Sequence, residues 1–453
     1  MIPSGLDLAS RTFGRCKGNI AAIPKKEKKM AELLRSVGGI ALLIGIGWAL
    51  SMARGSVRWR TVLAALAVQF AIGAIVLFWD RGNQALLAVA TGVTHVLEFG
   101  AKGTEFMFGG LVSPDVFKPG GLGFIFAFRV LPTIIYVTAL IAVLYYLGIM
   151  RWIISILGTI FQKLLGVSKI ESFCAVTTIF LGQNEMGAAV KPFVAQLKGP
   201  TIFAIMTSGM ASVAGAALAG YAGLGVKMEY LIAASFMAIP GGLLFGKLLC
   251  PATEVETVRM DNMHFDEKKP ANVIEAAASG AALGFQIACA VGAMLIAFIG
   301  LIALLNGAVS GVAGLMGFRG VNMETLLGYA FAPVAYMLGV AEEHIRFAGN
   351  LIGQKLILNE FVAYVNLAPY LKSPAEVTAA GLSVIDPKSL AILSFALCGF
   401  ANIASIAILA GAFGSVAPNL RGLVAQYGLR VVAAATLSNL MSATIAGICI
   451  SMR

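Results

Sequence analysis

Charge is what this chain has least of. Asp, Glu, Lys and Arg supply 12% of its 453 residues, about half the share found in soluble domains. Hydrophobic residues supply 59%, and the mean hydropathy is +0.88. That scarcity excludes a soluble globular protein and leaves a polytopic membrane protein. Three histidines and six cysteines are scattered, with no CxxC pair and no His neighbour at metal-ligand spacing, so neither a disulfide framework nor a metal centre is implied. No Walker motif, nucleophile elbow or HExxH occurs, which leaves ATP-driven transport and intramembrane catalysis without support. The net charge of +11 would suggest nucleic acid in a soluble protein. Here most basic residues flank apolar spans, where they set orientation, and nucleic acid is set aside as a partner.

Glycine, by contrast, is abundant at 52 residues. It lets transmembrane helices approach closely, or break where a cavity needs bare backbone, so the composition leans towards a transporter or channel. Residues 1–29 form a polar tail without the apolar run of a signal peptide. The first span, 38–52, precedes a loop with Arg54, Arg58 and Arg60, which is expected to be cytoplasmic. The basic cluster Lys25, Lys26, Lys28 and Lys29 opposes that orientation, and a chain starting at Met30 would remove the conflict. The tail is therefore expected to be disordered or non-native. Further spans are expected at 61–79, 130–150, 201–221, 231–249, 283–305, 390–412 and 431–450, eight in all. The stretch 85–100, interrupted by His95 and Glu98, is expected at the interface, and 326–340 is ambiguous.

Two apolar stretches carry buried carboxylates. Phe180-Leu181-Gly182-Gln183-Asn184-Glu185-Met186-Gly187 places an acid and two amides among aliphatics, and Leu356-Ile357-Leu358-Asn359-Glu360-Phe361-Val362 repeats the design. A charge at bilayer depth costs at least ~2.5 kcal/mol, so it persists where it lines a cavity or meets a partner. Glu185 and Glu360 read as binding residues. The competing reading is a buried ion pair with Lys191 or Lys355. Lys169 and Lys198 flank the first segment with the same basic character, as expected of a re-entrant hairpin whose ends share one side. Three spans separate the two hairpins, so they enter from opposite faces. Each half then reads hairpin, span, span in inverted orientation, an arrangement that places substrate and ion near the midplane. The expected division is a tail (1–29), an N-terminal scaffold (30–150), a first hairpin repeat (151–250), a central loop with a long scaffold helix (251–340) and a second hairpin repeat (341–453).

The span after each hairpin is unusual. Met206-Thr207-Ser208-Gly209-Met210-Ala211-Ser212-Val213-Ala214-Gly215 is rich in small residues, which fits close helix packing or an unwound helix whose carbonyls and Ser212 hydroxyl could ligate a small cation. In the second repeat Asn402 and Ser405 stand three apart, on one face of a helix.

These motifs resemble the concentrative nucleoside transporter family, over roughly 122–446. Gly182-Gln183-Asn184-Glu185 is similar to the family's Gly-Gln-Thr/Ser-Glu hairpin signature, Asn359-Glu360-Phe361-Val362-Ala363-Tyr364 matches its counterpart, and Gly399-Phe400-Ala401-Asn402 through Ser405 is similar to a third motif. Asn272-Val273-Ile274-Glu275-Ala276-Ala277 resembles another shared stretch. The resemblance implies an all-α polytopic fold of about eight spans and two opposed re-entrant hairpins, assembled as a homotrimer in which a scaffold holds a mobile domain. It implies cation-coupled import of a nucleoside. Gln183, Asn184 and Glu185 would meet the base beside Ala217, while Glu360, Asn402 and Ser405 would hold the ribose beside Phe400. Thr178, Leu181, Ser212 and Val213 would form the cation site, for Na+ or, alternatively, for a proton-coupled cycle. Three departures bear on this. Asn184 replaces Thr or Ser, Thr178 stands where sodium-coupled members often have Asn, and Ile403 and Ala404 replace Phe and Ser. The rivals are a carrier of another polar metabolite, such as a carboxylate, and a passive channel.

Overall fold

The computed structural model describes residues 25–113, 125–183, 196–252, 270–318 and 320–452, and all regular structure among them is helical. In order, α1 (Lys25–Ala49), α2 (Trp59–Gly73) and α3 (Asp80–Phe108) are followed by α4 (Phe126–Arg129), α5 (Leu131–Tyr146) and α6 (Ile149–Leu165). The first repeat comprises α7 (Lys169–Leu181), α8 (Gly199–Ala211), α9 (Gly215–Gly223) and α10 (Met228–Leu249). Then come α11 (Val273–Leu315) and α12 (Met323–Met337), and the second repeat: α13 (Ile345–Ile357), α14 (Glu360–Leu367), α15 (Pro374–Ala379), α16 (Pro387–Leu397), α17 (Ala404–Val416) and α18 (Arg421–Met452).

Eight helices among the described residues are long and apolar enough to cross a membrane. The number equals the sequence expectation, but the membership differs. Residues 390–412, expected as one span, are instead the ends of two short helices, α16 and α17, parted at 398–403. A hydropathy window cannot see that break, because Gly399 and Asn402 lie in an otherwise apolar run. Conversely, 80–108 is one unbroken helix, and its length and composition suffice to span. His95 and Glu98 are exposed on it. The tail boundary also shifts, since helix α1 already begins at Lys25.

Both hairpins return to the face they leave. In the first, Gly166, Val167 and Ser168 ahead of α7 line one cavity together with Lys198, Gly199 and Pro200 at the start of α8. A capping box of Ser168 and Glu171 starts the outgoing arm, satisfying N–H groups that have no intrahelical partner. In the second, Phe347 near the start of one arm and Tyr370 beyond the end of the other pack with their rings tilted, centroids 4.5 Å apart. Helix α1 shows that these bases lie on opposite faces. At its beginning Arg35 donates to the Val340 carbonyl at 2.8 Å and Glu32 pairs with Lys388 at 2.9 Å, both beside the second hairpin. Past its other end the Met52 N–H donates to the Leu249 carbonyl at 2.7 Å. The Lys247 that precedes Leu249 forms an ion pair with Glu171 of the first hairpin.

Close packing explains part of the glycine excess. Gly280 and Gly284 lie one turn apart on α11, against α5. A Cβ would sit 2.7 Å from the Ile135 Cα at Gly284, and 2.8 Å from the Ala139 Cα at Gly280, so only glycine permits this approach. Helix α10 is mostly buried, as is α18 from Val431 to Cys449, whereas the 43-residue α11 leaves Phe285, Ile296 and Leu304 exposed.

Candidate functional site

Both hairpin turns and both helix breaks converge at one place. Helix α7 stops at Leu181, and Gly182 takes φ 82°, ψ −179°, a conformation that a side chain would oppose. The turn carries Gln183 inward. In the second hairpin α13 stops at Ile357, and Asn359 caps α14 by accepting the Val362 N–H at 2.9 Å. Glu360 thereby becomes the first residue of a helix, where the N-terminal dipole favours a carboxylate. The repeated Asn-Glu pattern thus has a local cause in this hairpin: the amide ends the turn and the acid faces the site.

The spans that follow are both interrupted. Ser212 and Ala214 are extended (φ −95°, ψ 174° and φ −62°, ψ 145°) between α8 and α9. The expectation of an unwound helix therefore holds, and close packing holds too, because Gly242 and Gly246 of α10 lie against Ser208 and Ala204. Between α16 and α17, Asn402 and Ser405 do not share a helical face. Asn402 lies in the break, and its Oδ1 accepts the Ser405 N–H at 2.9 Å as a cap. The breaks touch directly where the Phe400 N–H donates to the Ser212 carbonyl at 3.3 Å.

Glu360 is 3% exposed, and its two oxygens have separate donors. The Tyr221 hydroxyl donates to Oε1 at 3.0 Å, and the Asn402 amide donates to Oε2 at 3.2 Å. Tyr221 is itself fixed between Phe361 and Tyr364, with ring centroids 4.7 and 4.6 Å away. The proposed ion pair with Lys355 is not formed, because the Lys355 ammonium bonds the Ala396 carbonyl and the Asn439 side chain, each at 2.7 Å. Gln183 joins the repeats, its Nε2 donating to Ser405 Oγ at 3.0 Å. Its buried Oε1 has no partner among the described residues. A cavity of about 870 Å³ opens over these groups, within the roughly 300–1,000 Å³ range of small-molecule sites. Leu181, Gln183, Ala217, Glu360, Phe400, Asn402 and Ser405 all line it.

Beside this cavity, Thr178, Ser212 and Val213 are buried. The Thr178 hydroxyl donates to the Ala175 carbonyl at 2.8 Å and lies 3.5 Å from the Ser208 carbonyl, while Ser212 Oγ lies 3.5 Å from the Gly209 carbonyl. Thr178 and Ser212 thus place hydroxyl oxygens next to backbone carbonyls between the end of α7 and the first break, oxygen groups of the kind a hard cation takes. Asn184, Glu185 and Lys191 lie outside the described residues. Sequence reasoning missed Tyr221, which it treated as the end of a span. A phenol among Gly220, Ala222 and Gly223 was the available signal. It also left Asn439 unmarked within the apolar α18.

The chain matches three family profiles in succession: "Na+ dependent nucleoside transporter N-terminus" over 38–111, "Nucleoside recognition" over 127–228 and "Na+ dependent nucleoside transporter C-terminus" over 230–447. It is 52% identical to the putative nucleoside permease NupX of Escherichia coli, over 93% of this chain and 100% of that one. It is 42% identical to the nucleoside permease NupC of Helicobacter pylori, over 92% and 98%. Among solved structures, a CNTnw variant in an outward-facing state superposes with a TM-score of 0.89 at 46% identity, covering 94% of this chain and 100% of that one. CNTnw in an inward-facing substrate-bound state gives 0.87 at 46% identity, covering 92% and 98%. From these matches and the membrane-crossing helices, the chain belongs to the Na+ dependent, concentrative nucleoside transporter family and is a multi-pass protein of the cell membrane.

Proposed function

We propose that this protein is a cation-coupled secondary importer of nucleosides working by elevator-type alternating access. The observation that carries the reading is the pairing of Glu360 with Tyr221 and Asn402 at the cavity wall, opposite Gln183 of the other repeat. A buried carboxylate with neutral partners suits a neutral ligand rich in hydroxyls and disfavours an anion. That weighs against a carboxylate carrier. In this reading Gln183, Asn184 and Glu185 take the base with Ala217, and Glu360, Asn402 and Ser405 take the ribose with Phe400. Thr178, Leu181, Ser212 and Val213 take the coupling ion. Sodium is favoured by the names of the matching family profiles, and protons are the alternative that Thr178 leaves open.

The elevator component is supported by likeness to CNTnw structures in outward-facing, intermediate and inward-facing states. A homotrimer is the assembly that the family resemblance implies. The deciding measurement is uridine and adenosine uptake into proteoliposomes under an imposed sodium or proton gradient. Accumulation above equilibrium is expected under one of the two. Uptake that only equilibrates under both would make the protein a channel.

A further inference from the structure

The two helix breaks are joined by a buried polar bridge that neither the cation site nor the sugar cluster contains. Lys355, in the last turn of α13, donates to the Ala396 carbonyl at the end of α16 and to Asn439 Oδ1, each at 2.7 Å. The other arm of the same amide, Asn439 Nδ2, donates at 2.6 Å to the carbonyl of Ala211, the last residue of α8. Lys355 is 3% and Asn439 2% exposed. The arrangement has a clear physical cause. Carbonyls at a helix C-terminus lack intrahelical partners and carry negative partial charge. One ammonium serves the end of α16 directly and the end of α8 through the amide. Gly399, inside the second break, packs so closely on the Asn439 side chain that a Cβ there would collide with it.

On one side of this bridge the backbone runs from Ala211 into Ser212 and Val213, and on the other it runs from Ala396 towards Phe400, Asn402 and Ser405. A buried charge with so few partners is costly unless fully paired. The bridge therefore resists a change in either break that the other does not share.

We propose that Lys355 and Asn439 are positioning residues that couple the two subsites, transmitting ion occupancy at the first break to nucleoside affinity at the second. The inference rests on the cation-coupled reading above. The test uses the full-length protein in nanodiscs and measures uridine and adenosine affinity with and without saturating sodium, repeated across a pH series. The ratio of the two affinities is the coupling factor, typically 5–150-fold between linked sites.

Asn439→Asp keeps the acceptor for Lys355 but removes the donor to Ala211, and Lys355→Met removes the contact with Ala396. Each is expected to lower the coupling factor at least fivefold. The double variant should fall no further than the singles, as members of one chain of contacts do. Should Lys355→Met fail to fold, Asn439→Asp carries the test. Ser442→Ala is the control. It breaks a buried 2.9 Å bond from Gln69 to the same helix, one turn away and linked to neither break, and should leave the factor unchanged. Folded Asn439→Asp protein with the unmodified coupling factor overturns the proposal, as does an equal loss in Ser442→Ala. Unmodified protein whose affinity ignores both sodium and pH overturns the cation reading itself, a result visible before any variant is made.

Discussion

Glu360 holds its carboxylate in the protein interior with two neutral donors and, among the described residues, no ion pair, so each donor matters. Hydrogen bonds to charged groups contribute about 1.5–3 kcal/mol, and about 1.4 kcal/mol is tenfold in affinity. Tyr221→Phe is therefore expected to weaken uridine binding about tenfold or more while leaving the fold intact. Unchanged binding would remove Tyr221 from the site. The division of labour between the repeats can be tested with altered ligands. Removing ribose hydroxyls should hurt the unmodified protein far more than Glu360→Gln, and changing the base should interact with Gln183 substitutions. Deoxy ligands that couple to Gln183 and not to Glu360 would reverse the assignment. At the proposed ion site, Ser212→Ala should weaken dependence on the driving cation more than apparent substrate affinity at saturating cation. Equal losses in both would deny Ser212 an ion-specific role. Glu360 was legible in the sequence because an acid among aliphatics demands a reason. Tyr221 and Asn439 were not, because a phenol at a helix end and a single amide in a long helix also occur for packing alone.

At the scale of elements, the hairpins were readable and the breaks only half so. Matching basic flanks announced the first hairpin, and the small-residue run announced the break at Ser212. The second break was hidden, because Asn402 and Ser405 at a spacing of three imitate one helical face until Asn402 is seen to cap Ser405. Periodicity describes regular backbone and is silent about where a helix stops inside an apolar run. Packing between elements was likewise invisible beyond a high glycine count. The contact of α11 with α5 makes this testable. Gly284→Val places a side chain against the Ile135 backbone, and overpacking of this kind costs about 1–3 kcal/mol. A lowered thermal midpoint in detergent is expected, with Gly311→Val, which meets nothing within 4 Å, as the neutral comparison. Equal midpoints would mean that α11 and α5 do not pack as closely as described.

For the whole molecule, counting spans between two carboxylates was enough to invert the hairpins, and the bonds at either end of α1 agree. Cysteines placed at Lys198 and Glu342 in a background without native thiols are expected to label from opposite faces, and labelling from one face would break the inverted repeat. Removal of residues 1–29 should leave expression and uptake unchanged, since Glu32 and Arg35, which tie α1 to the second repeat, are kept. A large loss of either would make the tail structural. One contact has a consequence for the cycle as a whole. A coupled carrier must travel back without cargo, and its return stroke is slow if bare polar groups have to cross an apolar barrier. Gln183 is bonded to Ser405 across the repeats, and Glu360 is bonded to Tyr221 and Asn402. On the proposed cycle, such bonds would let these groups stand in for the substrate's own. Ser405→Ala, by spoiling that self-pairing, should slow net uptake more than it slows exchange of labelled for unlabelled nucleoside, a process in which the carrier never moves empty.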